Sequence, residues 1–87
     1  MISERIIVEF TPMEGAVLRM LGLVERRGFR ACGLSMTEQD DEKATLTLDV
    51  EPRDAGRSLD VLGLQLLRLH GVTGVTRVRT FMQEKAA

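Results

Sequence analysis

The sequence predicts an α+β fold in which a four-stranded antiparallel sheet carries two helices on one face. The predicted elements follow the order strand, helix, strand, strand, helix, strand, and 87 residues are enough for one small domain. Each predicted helix is followed by a glycine, Gly28 or Gly71, so the two halves share one plan.

The first half reads as a strand and a helix. A strand is predicted at Arg5–Phe10. Ile6, Val8 and Phe10 alternate there with Ile7 and Glu9, a pattern typical of a half-buried strand. A helix is predicted over about Glu14–Arg27, and Gly28 then ends it. Its apolar face consists of Ala16, Val17, Met20, Leu21 and Val24.

A hairpin is predicted next. Its strands are Phe29–Thr37 and Lys43–Val50, and the acidic segment Glu38–Glu42 forms the turn between them. The residues expected on one face of the first of these strands are Cys32, Leu34 and Met36.

The second half ends with a helix and a strand. After the loop Pro52–Gly56, a helix is expected from Gly56 or Ser58 to His70, and its core seam is Leu59, Leu62, Leu66 and Leu69. The last strand is predicted at about Val75–Met82, with Val78 and Met82 on one side, and Gln83–Ala87 is expected to be frayed.

Two split strand–helix–strand units of this kind give the ferredoxin-like βαββαβ sandwich. Right-handed crossovers then fix its topology. The residues predicted on the open face of the sheet are Ile7, Glu9, Arg30, Ser35, Thr45, Thr47, Arg77 and Arg79.

Composition excludes several classes of function. The net charge is −1, and the chain has three Phe but no Trp or Tyr, so neither a basic footprint nor stacking platforms for nucleic acid are visible. A single cysteine cannot form an internal disulfide. No signal peptide and no apolar run of membrane-spanning length is found, so a cytoplasmic protein is expected.

The run LRMLGLVERRGF at Leu18–Phe29, preceded by Gly15-Ala16 and followed by the strand Arg30–Met36, resembles one family. It is similar to the ACT-domain small regulatory subunit of acetolactate (acetohydroxyacid) synthase over about Arg5–Val78. The resemblance implies a single ACT-like domain over residues 1–87, with a core of about 5–82. It also implies a non-catalytic subunit that binds and activates the large subunit in branched-chain amino-acid biosynthesis.

The resemblance implies partners and cofactors as well. A homodimer is expected, and thiamine diphosphate, magnesium and FAD would be bound by the large subunit rather than by this chain. A branched-chain amino acid is the candidate effector, near the first strand–helix loop of one copy and the second strand of the other. Similarity places that site at Pro12, Met13, Glu14, Gly15, Ala16, Arg30 and Cys32.

Two positions depart from the valine-sensitive members of the family. Those members carry Asn where this chain has Pro12 and Arg30, and neither residue here offers a side-chain acceptor for an ammonium group. Glu14 would also repel a carboxylate. Weak or absent valine inhibition is therefore expected.

Other interpretations of these residues stay open. The Gly15 turn either exposes backbone donors to an anion or serves only the chain reversal. Arg30 either binds an acidic group or is a solvated charge, whereas Cys32 is expected in the core because no second ligand accompanies it. His70 follows the second helix and lacks catalytic partners.

Subunit contacts are predicted at residues of the helices and of the last strand that lie outside the predicted core. The candidates are Leu18, Leu64, Leu67, Arg77 and Arg79. The alternative function is a stand-alone ACT-domain amino-acid sensor that regulates another enzyme. A small acylphosphatase is disfavoured because the chain contains no Asn, and an RNA-binding sheet is disfavoured because strands one and three lack exposed aromatics.

Overall fold

The chain consists of two strand–helix–strand units, in the predicted order. The computed structural model describes residues 2–81. Its elements are β1 (Ile2–Phe10), α1 (Ala16–Arg26), β2 (Phe29–Asp40), β3 (Lys43–Pro52), α2 (Leu59–Leu67) and β4 (Val72–Phe81). The ferredoxin-like class is confirmed, while the predictions for Met82 and for Gln83–Ala87 lie outside the described residues.

The four strands form one antiparallel sheet in the order β2-β3-β1-β4. The central strands β1 and β3 carry the clean apolar alternation seen in the sequence, and their apolar side faces the helices. The buried core consists of Ile6, Val8, Phe10, Ala16, Met20, Leu23, Val24, Phe29, Ala44, Leu46, Leu48, Val50, Leu62 and Leu66.

Helix α2 is shorter than predicted. The Ser58 Oγ accepts a hydrogen bond of 3.3 Å from the Val61 N–H and so caps its first turn. The helix ends at Leu67, and the chain turns before Gly71, which has a φ of +89°. In the predicted seam, Leu62 and Leu66 are fully buried, whereas Leu59 and Leu69 are partly buried against the core.

The β2–β3 hairpin is tighter than predicted. Strand β2 runs to Asp40, so only Asp41 and Glu42 remain for the turn. The Asp40 Oδ1 accepts a hydrogen bond of 2.8 Å from the Glu42 N–H, and this local bond closes the turn without glycine. Neither helix among residues 2–81 is long and apolar enough to cross a membrane.

The predicted open-face position of Arg77 is wrong. The register pairs Arg77 with the fully buried Ile6, so this residue lies on the helix side of the sheet, while the side chain of Arg79 lies outside those described. Val78 takes the open side instead, where it is 38% exposed. Gly63 of α2 leaves room for the Arg77 stem beside β4, since a Cβ at Gly63 would lie 2.9 Å from the Arg77 Cδ.

Candidate effector and subunit-contact site

The loop between β1 and α1 is a closed turn rather than an open cradle. Its start is held to the α2–β4 turn, because the Thr11 N–H donates to the Gly71 carbonyl over 2.8 Å. Gly15 has a φ of +80° and precedes the first helical residue. The Ala16 N–H donates to the Met13 carbonyl over 3.1 Å, so one donor at the start of α1 is already occupied.

Arg19 of α1 contacts this loop, and sequence reasoning missed it. Its Nη2 donates to the Glu14 carbonyl over 3.3 Å. A Cβ placed on Gly15 would lie 2.9 Å from the Arg19 Nη1, so the guanidinium folds back over the turn. The available signal was the helical spacing of four residues from Gly15 to Arg19. A cation therefore lies beside the candidate effector loop.

Arg30 lies near the beginning of β2 and is already paired. Its Nη2 donates to the Glu51 Oε1 on the neighbouring strand over 2.8 Å. This hydrogen bond raises the pKa of Arg30 above its ordinary value. The position is a cross-strand ion pair on the open face of the sheet, rather than an unpaired solvated charge.

Cys32 is exposed, so its predicted place in the core is wrong. A register shift between Ala31 and Gly33 makes Cys32 the extra residue of a β-bulge and removes it from the alternation with Leu34. The Cys32 Sγ donates to the Asp49 carbonyl over 3.3 Å. Partial burial raises the pKa of the thiol, so it stays protonated near neutral pH.

One copy of the chain does not bring the predicted effector residues together. Phe10, which precedes the loop, is level with Ala44 and with Glu38 at one end of the sheet. Arg30 is level with Glu51 near the other end. Glu38 and Arg30 lie eight positions apart along β2, which corresponds to roughly 26 Å of extended strand.

Candidate metal ligands do not cluster among residues 2–81. No group of three or more His, Cys, Asp or Glu side chains in this range could hold a metal ion. His70 is exposed and lies beyond the end of α2, in the turn that leads to β4.

The predicted contact leucines are exposed on two separate helices. Leu18 on α1 is 75% exposed, while Leu64 and Leu67 on α2 are 60% and 46% exposed. Leu64 and Leu67 border a shallow depression together with Arg77, so three of the candidates lie together. Leu18 lies apart from them on the other helix.

Strand β2 supplies two exposed apolar residues that were not predicted as contacts. Leu34 and Met36 pair with the buried Leu48 and Leu46 and therefore point to the helix side, yet they are 52% and 40% exposed. Strand β2 is an edge strand, so its outer backbone groups lack a partner strand within the described range 2–81.

Known proteins are similar to this chain in sequence and in fold. A family model described as the ACT domain matches residues 12–75. No curated protein matches significantly. Solved structures share the fold, and two of them, 17% and 19% identical, support the fold alone.

The first is the crystal structure of the ACT domain from GTP pyrophosphokinase of Chlorobium tepidum. It is 17% identical with a TM-score of 0.71, and the match covers 87% of this chain and 96% of that one. The second is the solution structure of the C-terminal domain of the MgtC protein from Mycobacterium tuberculosis. It is 19% identical with a TM-score of 0.72, covering 91% of this chain and 87% of that one. The family match spans more than half of the chain, which therefore belongs to the ACT-domain family of small, ligand-binding regulatory domains.

Proposed function

We propose that the chain is a non-catalytic regulatory subunit that binds and activates the large subunit of acetolactate synthase. The observation that carries this proposal is Leu18, which opens the run LRMLGLVERRGF. Within that run Met20, Val24 and Phe29 are buried in the core, whereas Leu18 is 75% exposed. The core does not need this leucine, so it is available to a second protein.

The catalytic partner would hold the thiamine diphosphate, magnesium and FAD of the reaction. This chain would act by binding the active conformation of that partner more tightly than the inactive one, which shifts the population toward activity. Besides Leu18, the proposed contacts with other subunits are Leu64, Leu67, Arg77 and Arg79.

A homodimer through the β2 edge is part of the proposal. The exposed Leu34 and Met36 and the free edge of β2 favour pairing with a second copy. In a two-fold pair, the β2 strands run antiparallel. Such pairing brings Arg30 and Cys32 of one copy near the β1–α1 loop of the other and so joins the two halves of the candidate effector site.

Valine feedback is proposed to be weak or absent. Pro12 has no polar side chain, and the guanidinium of Arg30 is bonded to Glu51 over 2.8 Å. A calorimetric titration of the chain with valine tests this point, and a dissociation constant below the millimolar range would contradict it. The double variant Pro12→Asn/Arg30→Asn is expected to bind valine more tightly than the parent chain.

The activation proposal is tested by measuring acetolactate formation from pyruvate by a large subunit from the same organism. The chain is expected to stimulate the rate, with little response to valine, leucine or isoleucine. Leu18→Glu is expected to abolish stimulation, whereas the matched variant Leu18→Met preserves it. Equal circular dichroism spectra show that both variants are folded. If the saturated wild-type chain leaves the rate unchanged, the proposed partner is wrong.

The second candidate function is a stand-alone amino-acid sensor that regulates another enzyme. It is favoured by the fold shared with an ACT domain from a GTP pyrophosphokinase, because that fold serves other enzymes as well. A sensor of this kind would bind an amino acid without stimulating acetolactate formation, so the two experiments above separate the candidates.

A further inference from the structure

The outward side of helix α2 is apolar although it faces solvent. Val61, Leu64 and Leu67 are 49%, 60% and 46% exposed. The inward side is also apolar, because Leu62 and Leu66 are fully buried. A helix that is apolar on both sides is expected to be covered on both sides.

The residues of this outward side are arranged symmetrically about Leu64. Val61 and Leu67 lie three residues to either side of Leu64, and Asp60 and Arg68 lie four residues to either side. Reversing the helix direction therefore exchanges an apolar residue for an apolar one and an acid for a base. Such a surface is complementary to an antiparallel copy of itself.

The two charged ends of this surface can both form contacts with another copy. The Asp60 side chain is 82% exposed, and only its Oδ1 is bound, by the Arg77 Nη1 at 2.8 Å. Its second carboxylate oxygen can accept another hydrogen bond. Arg68 is exposed and has no ion-pair partner among residues 2–81.

We propose that α2 is a self-association surface, on which a second copy of this chain packs its own α2 in antiparallel orientation. Leu64 lies at the two-fold axis against Leu64 of the partner subunit. Asp60 then faces Arg68 of the partner subunit, and the same pair forms again on the other side of the axis. Helix α2 contacts β4, whereas the β2 edge lies at the opposite end of the sheet order, so both contacts can form at once.

The first test measures the molar mass of the full chain by light scattering during size-exclusion chromatography. With the β2 dimer of the proposed function and the α2 contact related by perpendicular two-fold axes that meet, the wild-type chain is expected to contain four copies. Leu64→Glu places two carboxylates at the axis and is expected to halve the mass, whereas Leu64→Met keeps it. A folded Leu64→Glu variant with wild-type mass would overturn the proposal.

A charge exchange tests the orientation. Asp60→Arg and Arg68→Asp each place like charges opposite one another, so each variant alone is expected to show half the wild-type mass at low salt. Mixed in equal amounts, the two variants present complementary charges at both positions, and the full mass is expected to return. The control Arg26→Asp should leave the mass unchanged. Failure of the mixture to associate would show that the antiparallel arrangement is wrong.

Failure of the α2 contact and failure of the proposed function give different results. Leu34→Lys/Met36→Lys disrupts only the β2 edge and should also halve the mass, and combining these changes with Leu64→Glu should give a monomer. A mass that responds to Leu64→Glu in a chain that does not stimulate acetolactate synthase would support the α2 contact and refute the proposed function.

Discussion

Replacing Gly63 by alanine tests whether Arg77 lies on the helix side of the sheet. Gly63 is buried within α2, and a Cβ placed there would lie 2.9 Å from the Cδ of Arg77. That distance is too short for two carbon atoms, so the arginine stem must move. Its guanidinium would then leave Asp60, to which it is bound at 2.8 Å.

Two opposing free energies set the expected result. Alanine in place of glycine in a helix stabilises by about 0.8–1 kcal/mol. Moving Arg77 costs about 0.2–1 kcal/mol for the exposed ion pair, and the overpacked stem adds about 1 kcal/mol. Gly63→Ala is therefore expected to leave stability unchanged or to lower it by up to about 1 kcal/mol.

Gly22→Ala is the matched control in the other helix. Its new Cβ would have Arg26 Nη1 at 3.6 Å, an ordinary contact, so the full gain of about 0.8–1 kcal/mol is expected. Urea unfolding at one fixed protein concentration measures both variants. In an Arg77→Ala background, Gly63→Ala should become stabilising. A gain equal to that of Gly22→Ala when Arg77 is present would refute the helix-side position of Arg77.

Three further predictions concern single residues. Gly15→Ala places a Cβ at a φ of +80° and should destabilise the chain by about 1–2 kcal/mol in urea unfolding; an unchanged midpoint would contradict the left-handed turn. The bond from Arg53 lowers the pKa of Glu25, so its stabilising effect should be full above the ordinary pKa of about 4.3 and vanish as pH falls through the lowered folded-state pKa; a thermal difference between wild type and Glu25→Gln that persists at the lowest pH would contradict this. The raised pKa of Cys32 should make its alkylation by iodoacetamide slower at neutral pH than that of free cysteine, and an equal rate would contradict it.

The fold could be predicted because the central strands carry strong and simple patterns. Ile6, Val8 and Phe10 alternate in β1, Leu46 and Leu48 do so in β3, and all five are buried. Each central strand is hydrogen-bonded to another strand on both of its edges, which fixes its register. A slip by one residue would turn its apolar side chains from the core to solvent. The sequence alone therefore determines the layer order and most of the core.

The edge strands could not be predicted as well, because only one neighbour fixes each of them. In β2, the bulge at Cys32 changes which side chains face the helices, and the neighbouring Gly33 is a local signal for it that the apolar alternation does not contain. In β4, apolar Val78 lies on the open face while Arg77 lies on the helix side. The Arg77 stem lies beside Gly63 of α2, so the space that it occupies is not marked by any pattern within β4.

The candidate effector site was predicted across two copies of the chain, and within one copy its two halves lie apart. Since the β1–α1 loop and Arg30 lie at opposite ends of the sheet, single-chain geometry leaves each half incomplete. Arg30 is also held by Glu51 within its own chain, so an effector carboxylate would have to compete with that ion pair. The exposed Leu18 lies on α1 and takes no part in the bonds of that loop. The proposed activation through Leu18 therefore does not require that the candidate effector site bind an amino acid.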